Sequence, residues 1–345
     1  MNLEAFCQSL PKLELHAHLN GSLSTNTLKK LYKMQNPNSE DCENITMNVD
    51  CFSSLGECFK VFDIAHSLTV TPEAVFQSTY ETIKEFKDEN VIYLELRSTP
   101  RAVDGKMTKQ EYVESIIRAF QSCEADFPSI LVKLLISINR KQGYIAAKEN
   151  IQLAIEYFKK YSHYIVGLDL SGDPMAGEPF LKLLEKAKMA GLKISAHCAE
   201  ISNETEATDI LEFKPNRLGH CTCIHPNLQG SNRLFNMLLA SKIPVELCLT
   251  SNVKCKTVPS YASHQFKYLY EAEHPICLAT DDKGVFHTSL SREYEIAAST
   301  FSLSRKDLVN LSMSSVRYAY ATSEEKNVLL SKIETFSREV CDTIN

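Results

Sequence analysis

Short apolar segments alternate with longer amphipathic segments along this chain. The short segments have the length of buried strands, and the longer ones repeat apolar residues at helical spacing. Eight segments are predicted to form strands: 13–19, 91–97, 130–138, 164–170, 193–197, 216–220, 243–249 and 275–280. Because strands and helices alternate, the pattern predicts an α/β fold with parallel strands. Eight such units fit a closed (β/α)8 barrel, the TIM barrel, at least as well as an open sheet.

Two regions depart from this alternation. Residues 36–54 are polar and rich in turn-forming residues, and the helix that follows has a capping-box pattern at Ser54 and Glu57. We therefore expect 36–70 to form an insertion and a lid helix over the C-terminal face of the barrel. From Ser304 onward the pattern is helical without a further strand, so 304–345 is expected to supply helices that pack outside the barrel.

Composition narrows the class of protein. The 345 residues are 44% hydrophobic and 23% charged, the balance of a globular protein with a sizeable core. Because (β/α)8 barrels commonly use this length for one core, we expect 1–345 to form a single domain. The net charge of -6, without a basic cluster, argues against a nucleic acid polymer as partner. A single nucleotide remains compatible, since two or three local groups can neutralise one phosphate.

The positions of the cysteines and the length of the apolar segments indicate in which cellular compartment the protein is expected. The chain has twelve cysteines, several of them inside apolar segments, which is typical of reduced and buried thiols in the cytoplasm. The first residues contain no basic segment followed by an apolar run, and nowhere do 18 apolar residues follow one another. We therefore expect a cytoplasmic protein with no membrane partner.

Metal-binding residue types occur at the predicted strands. His16 and His18 are two residues apart on one strand, so both side chains lie on the same face. Alone, this pair fits hydrogen-bonded core histidines as well as it fits a metal site. His197 and Asp281 come at the ends of two further strands, and in a barrel the carboxyl ends of the strands converge. Nitrogen and carboxylate donors without a thiolate suit a catalytic zinc with an open position.

Three more ionisable residues fall at the same strand ends. Glu200 comes three residues after His197, His220 ends its strand, and Asp282 directly follows Asp281. Such groups could orient a water and accept its proton beside a metal. Taken singly, each could equally be a surface residue or a partner of a metal ligand.

Six motifs carry a resemblance to a known family. They are LPKLELHAHLNGS at 10–22, SGDP at 171–174, HCAE at 197–200, RLGHC at 217–221, CLTSNVK at 248–254 and TDDKGVF at 280–286. Their order and spacing resemble the adenosine deaminase family from about Leu10 to past Phe286. The resemblance implies a (β/α)8 barrel that holds one zinc ion per chain, and the implied ligands are His16, His18, His197 and Asp281.

The resemblance also implies roles in a hydrolytic deamination at carbon 6 of a purine. Glu200 would donate a proton to ring nitrogen 1, which makes carbon 6 electrophilic. His220 and Asp282 would orient and deprotonate the attacking water. The backbone of Gly172 would bind the far edge of the purine, and His18 and Asp282 would also contact the substrate.

The 5' end of the substrate is expected to carry a phosphate. Adenosine deaminases have Asp where this chain has Asn20, and an amide can donate to a phosphate oxygen that a carboxylate would repel. The alternative is that Asn20 is only a turn residue before Gly21. Together with the resemblance, which implies an N6-substituted purine, this makes N6-methyl-AMP or a related N6-substituted AMP the expected partner and IMP the expected product. We expect the enzyme to be a monomer.

Further substrate contacts are expected around this phosphate. Ser98, Thr99, Pro100 and Arg101 follow the second predicted strand and supply hydroxyls and a guanidinium, although a solvated Arg101 is the alternative.

His66 lies on the apolar face of the predicted lid helix, where a core position is the alternative to substrate contact. Asn139 stands where relatives commonly have Asp, which puts its expected substrate role in doubt.

Three other functions remain to be weighed. Deamination of adenosine or adenine is the first, and the neutral Asn20 argues against it. A cytidine-deaminase-type enzyme needs a PCxxC pair, whereas the close cysteines here are Cys221 and Cys223. A non-catalytic metal-binding protein on the same fold is the third, because fold alone does not fix function. The combination of Glu200, His220 and Asp282 argues against it.

Overall fold

The computed structural model describes residues 1–39, 45–47 and 54–342. Its strands are β1 (Lys12–His18), β2 (Val91–Ser98), β3 (Leu131–Asn139), β4 (Ile165–Ser171), β5 (Lys193–Cys198), β6 (Arg217–His220), β7 (Val245–Leu247) and β8 (Ile276–Leu278). Each strand pairs in parallel with the next one along the chain, in the order β1 to β8. The predicted parallel sheet of eight strands is confirmed.

Helices follow the strands and surround them. They are α1 (Leu3–Ser9), α2 (Thr25–Gln35), α3 (Leu55–Leu68), α4 (Pro72–Asp88), α5 (Lys109–Asp126), α6 (Gly143–Lys160), α7 (Leu181–Met189), α8 (Glu204–Phe213), α9 (Asn232–Ser241), α10 (Leu249–Lys254), α11 (Phe266–Glu271), α12 (Lys283–Phe286), α13 (Leu290–Phe301), α14 (Arg305–Tyr318) and α15 (Ser323–Asp342). Short 3-10 turns lie at Arg140–Gln142, Thr222–Ile224, Pro226–Leu228 and Tyr261–Ser263.

The sheet closes into a barrel through one residue just beyond β8. The backbone N–H of His18 donates to the carbonyl of Asp281 (2.9 Å), and the N–H of Asp281 donates to the carbonyl of His16 (2.8 Å). Ala17 and Asp281 thus form a parallel bridge between the first strand and the last. Closure therefore brings the predicted ligands of β1 directly beside Asp281, and the (β/α)8 fold is confirmed.

One predicted strand is too long. The apolar run at 243–249 was expected to be extended throughout, but β7 covers only Val245–Leu247 and α10 begins at Leu249. Both elements are buried, and a short apolar run does not by itself distinguish a buried strand from a buried helical turn. The early end of β7 places Ser251 and Asn252 on a helix at the carboxyl end of the barrel.

Local signals fix the ends of several outer helices. Thr71 caps α4 by accepting from the N–H of Ala74, and Pro72 occupies the first turn, where its missing N–H costs nothing. Thr108 and Glu111 form a capping box at the start of α5. Such caps position helices whose apolar faces cover the barrel.

The lid region is partly described. α3 begins at Leu55 as predicted, but the Ser54 side chain makes no capping hydrogen bond. The helix packs through Ala65 and Leu68 on a second apolar cluster that includes Leu28 and Phe286. Residues 40–44 and 48–53 of the predicted insertion lie outside the described residues.

Two expectations about the whole chain can be compared with the described part. Eight of the described cysteines have buried side chains, and none of these forms a disulfide. No described helix combines the length and the apolar character that crossing a membrane requires.

Candidate functional site

Histidine and carboxylate side chains from four places in the barrel meet at its carboxyl end. His16, His197, His220 and Asp281 each offer a ligand atom, and these atoms lie within 4.8 Å of one another. They come from β1, β5, β6 and the residue that closes the barrel. His18, also on β1, points to the same cluster. Five groups therefore converge where the sequence predicted four ligands.

The distances between these five groups distinguish the four predicted ligands from His220. His18 Nε2 lies 3.2 Å from His197 Nε2 and 3.4 Å from Asp281 Oδ1, and His16 Nε2 lies 3.3 Å from Asp281 Oδ1. A tetrahedral zinc with bonds of about 2.0–2.1 Å separates its ligand atoms by roughly 3.3 Å. His220 Nε2 is 3.9 Å from the other oxygen, Asp281 Oδ2. The spacing favours the predicted ligand set, with His220 beside it.

Hydrogen bonds at Nδ1 of His16 and His197 leave Nε2 of each ring available to bind a cation. His16 Nδ1 lies 2.7 Å from Glu246 Oε2, and His197 Nδ1 lies 2.8 Å from the carbonyl of Leu170. Each Nδ1–H is thereby used, so the lone pair of Nε2 faces the cluster. His16 Nε2 is buried with no hydrogen-bond partner. The residues present therefore fit a divalent metal held by nitrogen and carboxylate.

A buried charge network orients His16 from inside the barrel. Arg97 Nη2 donates to Glu246 Oε2 (2.9 Å), and Arg217 Nε donates to Glu246 Oε1 (2.6 Å). Burial raises the pKa of Glu246, but the two guanidinium groups more than offset this and hold that pKa well below its ordinary value. Glu246 therefore stays ionised and fixes the His16 ring. Arg97 Nη1 also donates to Asp169 Oδ1 (2.8 Å), so its guanidinium joins two buried carboxylates.

The three predicted catalytic residues surround the same cluster. Glu200 Oε2 lies 3.7 Å from His220 Nε2, and burial raises the pKa of the Glu200 carboxyl. A raised pKa keeps this group protonated to higher pH, as a general acid requires. Asp282 is 7% exposed and packs against Gly21, where an added Cβ would lie 1.6 Å from Asp282 Oδ1. Only glycine leaves room for this carboxylate.

A cavity of about 550 Å³ opens onto the cluster, a size that accommodates a nucleotide. Most of the residues predicted to bind substrate line it: His18, Asn20, His66, Ser98, Thr99, Arg101, Asn139, Gly172 and Asp282. Pro100 is buried and is not among the lining residues. The lid helix α3 contributes Leu55, Phe62 and Asp63 in addition to His66.

Gly172 and Asn139 shape one wall of the cavity together. Gly172 has a φ of +91°, and a Cβ there would lie 2.3 Å from Asn139 Oδ1. Asn139 Oδ1 in turn accepts from the backbone N–H of Lys141 (3.0 Å). Asn139 thus has a turn-forming contact that its sequence position did not reveal.

Arg101 is tied to the lid. Its Nη2 donates to the carbonyl of His66 (2.8 Å) and to Thr69 Oγ1 (2.6 Å), at the C-terminal end of α3. The sequence predicted either a phosphate contact or a solvated side chain for Arg101, and did not predict this contact with the lid helix. Arg101 connects the cavity wall to the helix that covers it.

Tyr112 is a residue of this region that sequence reasoning missed. Its hydroxyl lies 2.7 Å from Ser98 Oγ. Burial raises the pKa of the Tyr112 hydroxyl, and the nearby Ser98 and Asn20 side chains act in the opposite direction. The apolar pattern of α5 predicts only that Tyr112 is buried, so the local sequence gives no signal for this contact. Tyr112 thus lies beside two polar groups expected to face the 5' phosphate.

Comparison with known proteins identifies the family. The family model described as adenosine deaminase matches residues 11–336. The chain belongs to the adenosine deaminase family. The bovine (Bos taurus) N6-Methyl-AMP deaminase is 46% identical over 333 residues, which cover 95% of this chain and 94% of that protein. The human (Homo sapiens) N6-Methyl-AMP deaminase is 44% identical, with 95% and 93% covered.

Solved structures agree with this assignment. The structure of an ADAL–IMP complex has a TM-score of 0.87 and 38% identity, and covers 97% of this chain and 99% of that one. The apo structure of the N6-methyl-AMP deaminase from Arabidopsis thaliana has a TM-score of 0.86 and 39% identity, with the same coverage. The similarity extends over nearly the whole of both chains.

Proposed function

We propose that this protein is a zinc-dependent hydrolase that converts N6-methyl-AMP to IMP and methylamine. The observation that carries the proposal is the convergence of four histidines and Asp281, with Glu200 and Asp282, at one end of a cavity of nucleotide size. Relatives that share up to 46% identity are N6-methyl-AMP deaminases, and one similar structure contains IMP. We further propose that the chain acts in the cytoplasm as a single-domain monomer.

The metal would be held by four residues, His16, His18, His197 and Asp281. When bound, zinc would lower the pKa of a water and so supply a nucleophile near neutral pH. Ser251 Oγ donates to Asp281 Oδ2 (2.7 Å) and so keeps Oδ1 turned toward His16 and His18. One zinc per chain is expected from this single donor set.

The remaining residues would bind the purine and move protons. Glu200 would deliver its proton to ring nitrogen 1, because burial raises the pKa of its carboxyl and so favours the protonated form. Asp282, fixed against Gly21, would take a proton from the attacking water. The backbone beside Gly172 would receive the far edge of the purine. Proton delivery and proton removal would thereby be carried out by two different carboxyl groups of the same cavity.

The 5' phosphate would lie against Asn20, Ser98 and Thr99. These groups are neutral donors in the cavity wall, and the Tyr112 hydroxyl, 2.7 Å from Ser98 Oγ, holds one of them in place. Arg101 would add positive charge nearby while it holds α3 through His66 and Thr69. A phosphate at this place would therefore be bound close to the anchor of the lid.

The assay that tests this function compares four substrates. Purified protein is incubated separately with N6-methyl-AMP, N6-methyladenosine, AMP and adenosine, and the formation of IMP or inosine is followed. We expect the highest kcat/KM with N6-methyl-AMP. A higher kcat/KM with either nucleoside would contradict the proposed phosphate preference, and no turnover of any of the four would contradict the proposed reaction.

The Asn20→Asp variant tests the phosphate site. Two unit charges about 4 Å apart at an effective dielectric constant near 20 repel by roughly 4 kcal/mol, which is an upper bound here because water and Arg101 weaken it. We expect the ratio of kcat/KM for N6-methyl-AMP over N6-methyladenosine to fall by about 10- to 100-fold, or about 1.4 to 3 kcal/mol. Steady-state kinetics with both substrates measures this ratio.

A control separates local from general charge effects in this experiment. Asn139→Asp adds the same charge to the cavity wall at the end of β3, two strands from β1, and should change the ratio less. Zinc content should stay the same in both variants. An unchanged ratio in folded, metal-loaded Asn20→Asp would show that Asn20 is only a turn residue, and the phosphate contacts would then be sought at Ser98 and Thr99.

A further inference from the structure

A buried amide lies beside His220, at the ring nitrogen opposite the one that faces the ligand cluster. Asn252 Nδ2 is 3.1 Å from His220 Nδ1, and the Asn252 side chain is 2% exposed. The opposite ring nitrogen, His220 Nε2, faces the cluster at 3.7 Å from Glu200 Oε2 and 3.9 Å from Asp281 Oδ2. Whether His220 gives or accepts a hydrogen bond there depends on which nitrogen carries the proton.

One backbone group fixes the orientation of the Asn252 amide through His264. The backbone N–H of Phe266 donates to His264 Nδ1 (3.0 Å), so the proton of this neutral ring is on Nε2. His264 Nε2 lies 3.0 Å from Asn252 Oδ1 and therefore donates to it. Because the Phe266 N–H can only donate, the amide oxygen must face His264.

A second backbone group gives the same orientation independently. The carbonyl of His220 accepts from Gln265 Nε2 (2.9 Å), which fixes the Gln265 amide. The same Nε2 donates to Asn252 Oδ1 (2.9 Å). Two donors thus converge on the Asn252 oxygen, and His264 and Gln265 are both fully buried. The Asn252 NH2 group is left to donate to His220 Nδ1.

We propose that Asn252 is a positioning residue that makes His220 a hydrogen-bond donor toward the reacting water. Because Nδ1 accepts from Asn252, the proton of the His220 ring is on Nε2, which faces the cluster. His220 therefore holds the water oxygen, and the removal of its proton falls to Asp282 alone. This inference rests on the proposed function, and it revises the expectation that both residues share the deprotonation.

The position of the ring proton also distinguishes His220 from the proposed metal ligands. A metal ligand needs a lone pair on the coordinating nitrogen, whereas His220 Nε2 carries the proton while Nδ1 accepts from Asn252. His16 and His197 have the opposite arrangement, with Nδ1–H donated to Glu246 and to the carbonyl of Leu170. The group at Nδ1 thus distinguishes the rings: an acceptor lies there for the proposed ligands His16 and His197, and a donor for His220.

The first test determines directly which ring nitrogen of His220 carries the proton, and it does not require catalytic turnover. The metal-loaded protein is labelled with ring-¹⁵N histidine, and NMR identifies the protonated nitrogens; the His220 signals are assigned by their absence in His220→Ala. We expect His220 Nδ1 without a proton in the wild type and with a proton in Asn252→Asp, where a carboxylate replaces the donor. A proton on Nδ1 in the wild type, or no change in Asn252→Asp, would overturn the proposal.

The second test uses kinetics to separate positioning from stability. Asn252→Asp keeps the shape and the acceptor for His264 and Gln265 but reverses the polarity toward His220, whereas Asn252→Ala removes every contact. We expect Asn252→Asp to lose at least about tenfold in kcat with KM within about threefold, and to lose more than Asn252→Ala. The thermal midpoint should fall more in Asn252→Ala. A kcat loss that instead follows the loss of stability would show a structural role only.

A matched control comes from another buried amide. Asn150 in α6 is fully buried and its Oδ1 accepts from Lys109 Nζ (2.8 Å), far along the chain from the cluster. Asn150→Asp should leave kcat and the His220 proton unchanged. Because the NMR test needs no substrate, failure of the proposed function in the substrate assay and failure of this inference are distinguishable.

Discussion

The His197→Ala variant should lose its metal and its activity together. His197 Nε2 lies 3.2 Å from His18 Nε2, which is the spacing of two ligands on one tetrahedral metal, so its removal leaves three of the four proposed ligands. Zinc held by three protein ligands and water would dissociate far more readily. We expect less than a tenth of the wild-type zinc content by elemental analysis, and a loss of activity of more than about a thousandfold, which is roughly 4 kcal/mol or more in transition-state stabilisation.

Two further histidine variants make this prediction specific. His220→Ala should keep its full zinc content while losing activity, because we propose that His220 donates a hydrogen bond to the reacting water and does not bind the metal. His163→Ala should change neither, since this ring is mostly exposed and pairs with Glu124 at the surface. Full zinc content with full turnover in His197→Ala would remove His197 from the ligand set. Loss of zinc from His220→Ala would place His220 in it.

The sequence predicted the metal cluster because its geometry follows from local rules. His16 and His18 share a face because strand side chains alternate, and His197 and Asp281 end strands whose carboxyl ends must meet once the sheet closes. The closing contact of Asp281 with β1 also makes one of these residues part of the barrel itself. The cluster could therefore be predicted from the residue types at the strand ends and not from the overall composition.

The contacts that sequence reasoning missed join residues that are distant along the chain. Arg101 anchors the end of α3, about thirty residues earlier, and Tyr112 reaches back to Asn20. Neither contact leaves a periodic pattern, because each depends on the angle at which a helix packs on the barrel. Asn252 lies inside the motif CLTSNVK, but its proposed role depends on the short β7. The strand ends at Leu247, whereas the apolar run predicted that it continues to residue 249.

The Glu200→Gln variant should keep its fold and its metal but lose catalysis. The amide has nearly the same shape as the protonated carboxyl, yet it has no acidic proton to deliver to ring nitrogen 1. Without that proton carbon 6 stays a poor electrophile. General acid catalysis is typically worth about 10² to 10⁴ in rate, which is roughly 2.7 to 5.4 kcal/mol. We therefore expect kcat with N6-methyl-AMP to fall by at least about a hundredfold.

A matched exchange on the following helix gives the control for Glu200→Gln. Glu204 begins α8, is about half exposed, and pairs with Arg233 at the surface, so Glu204→Gln should keep wild-type kcat and zinc content. Substrate binding should survive in Glu200→Gln, because the amide can still hydrogen bond the purine, and KM should change much less than kcat. The measurements are steady-state kinetics, zinc content and thermal unfolding of both variants. If Glu200→Gln were folded, metal-loaded and within about tenfold of the wild-type kcat, proton delivery would have to come from another group facing the cavity.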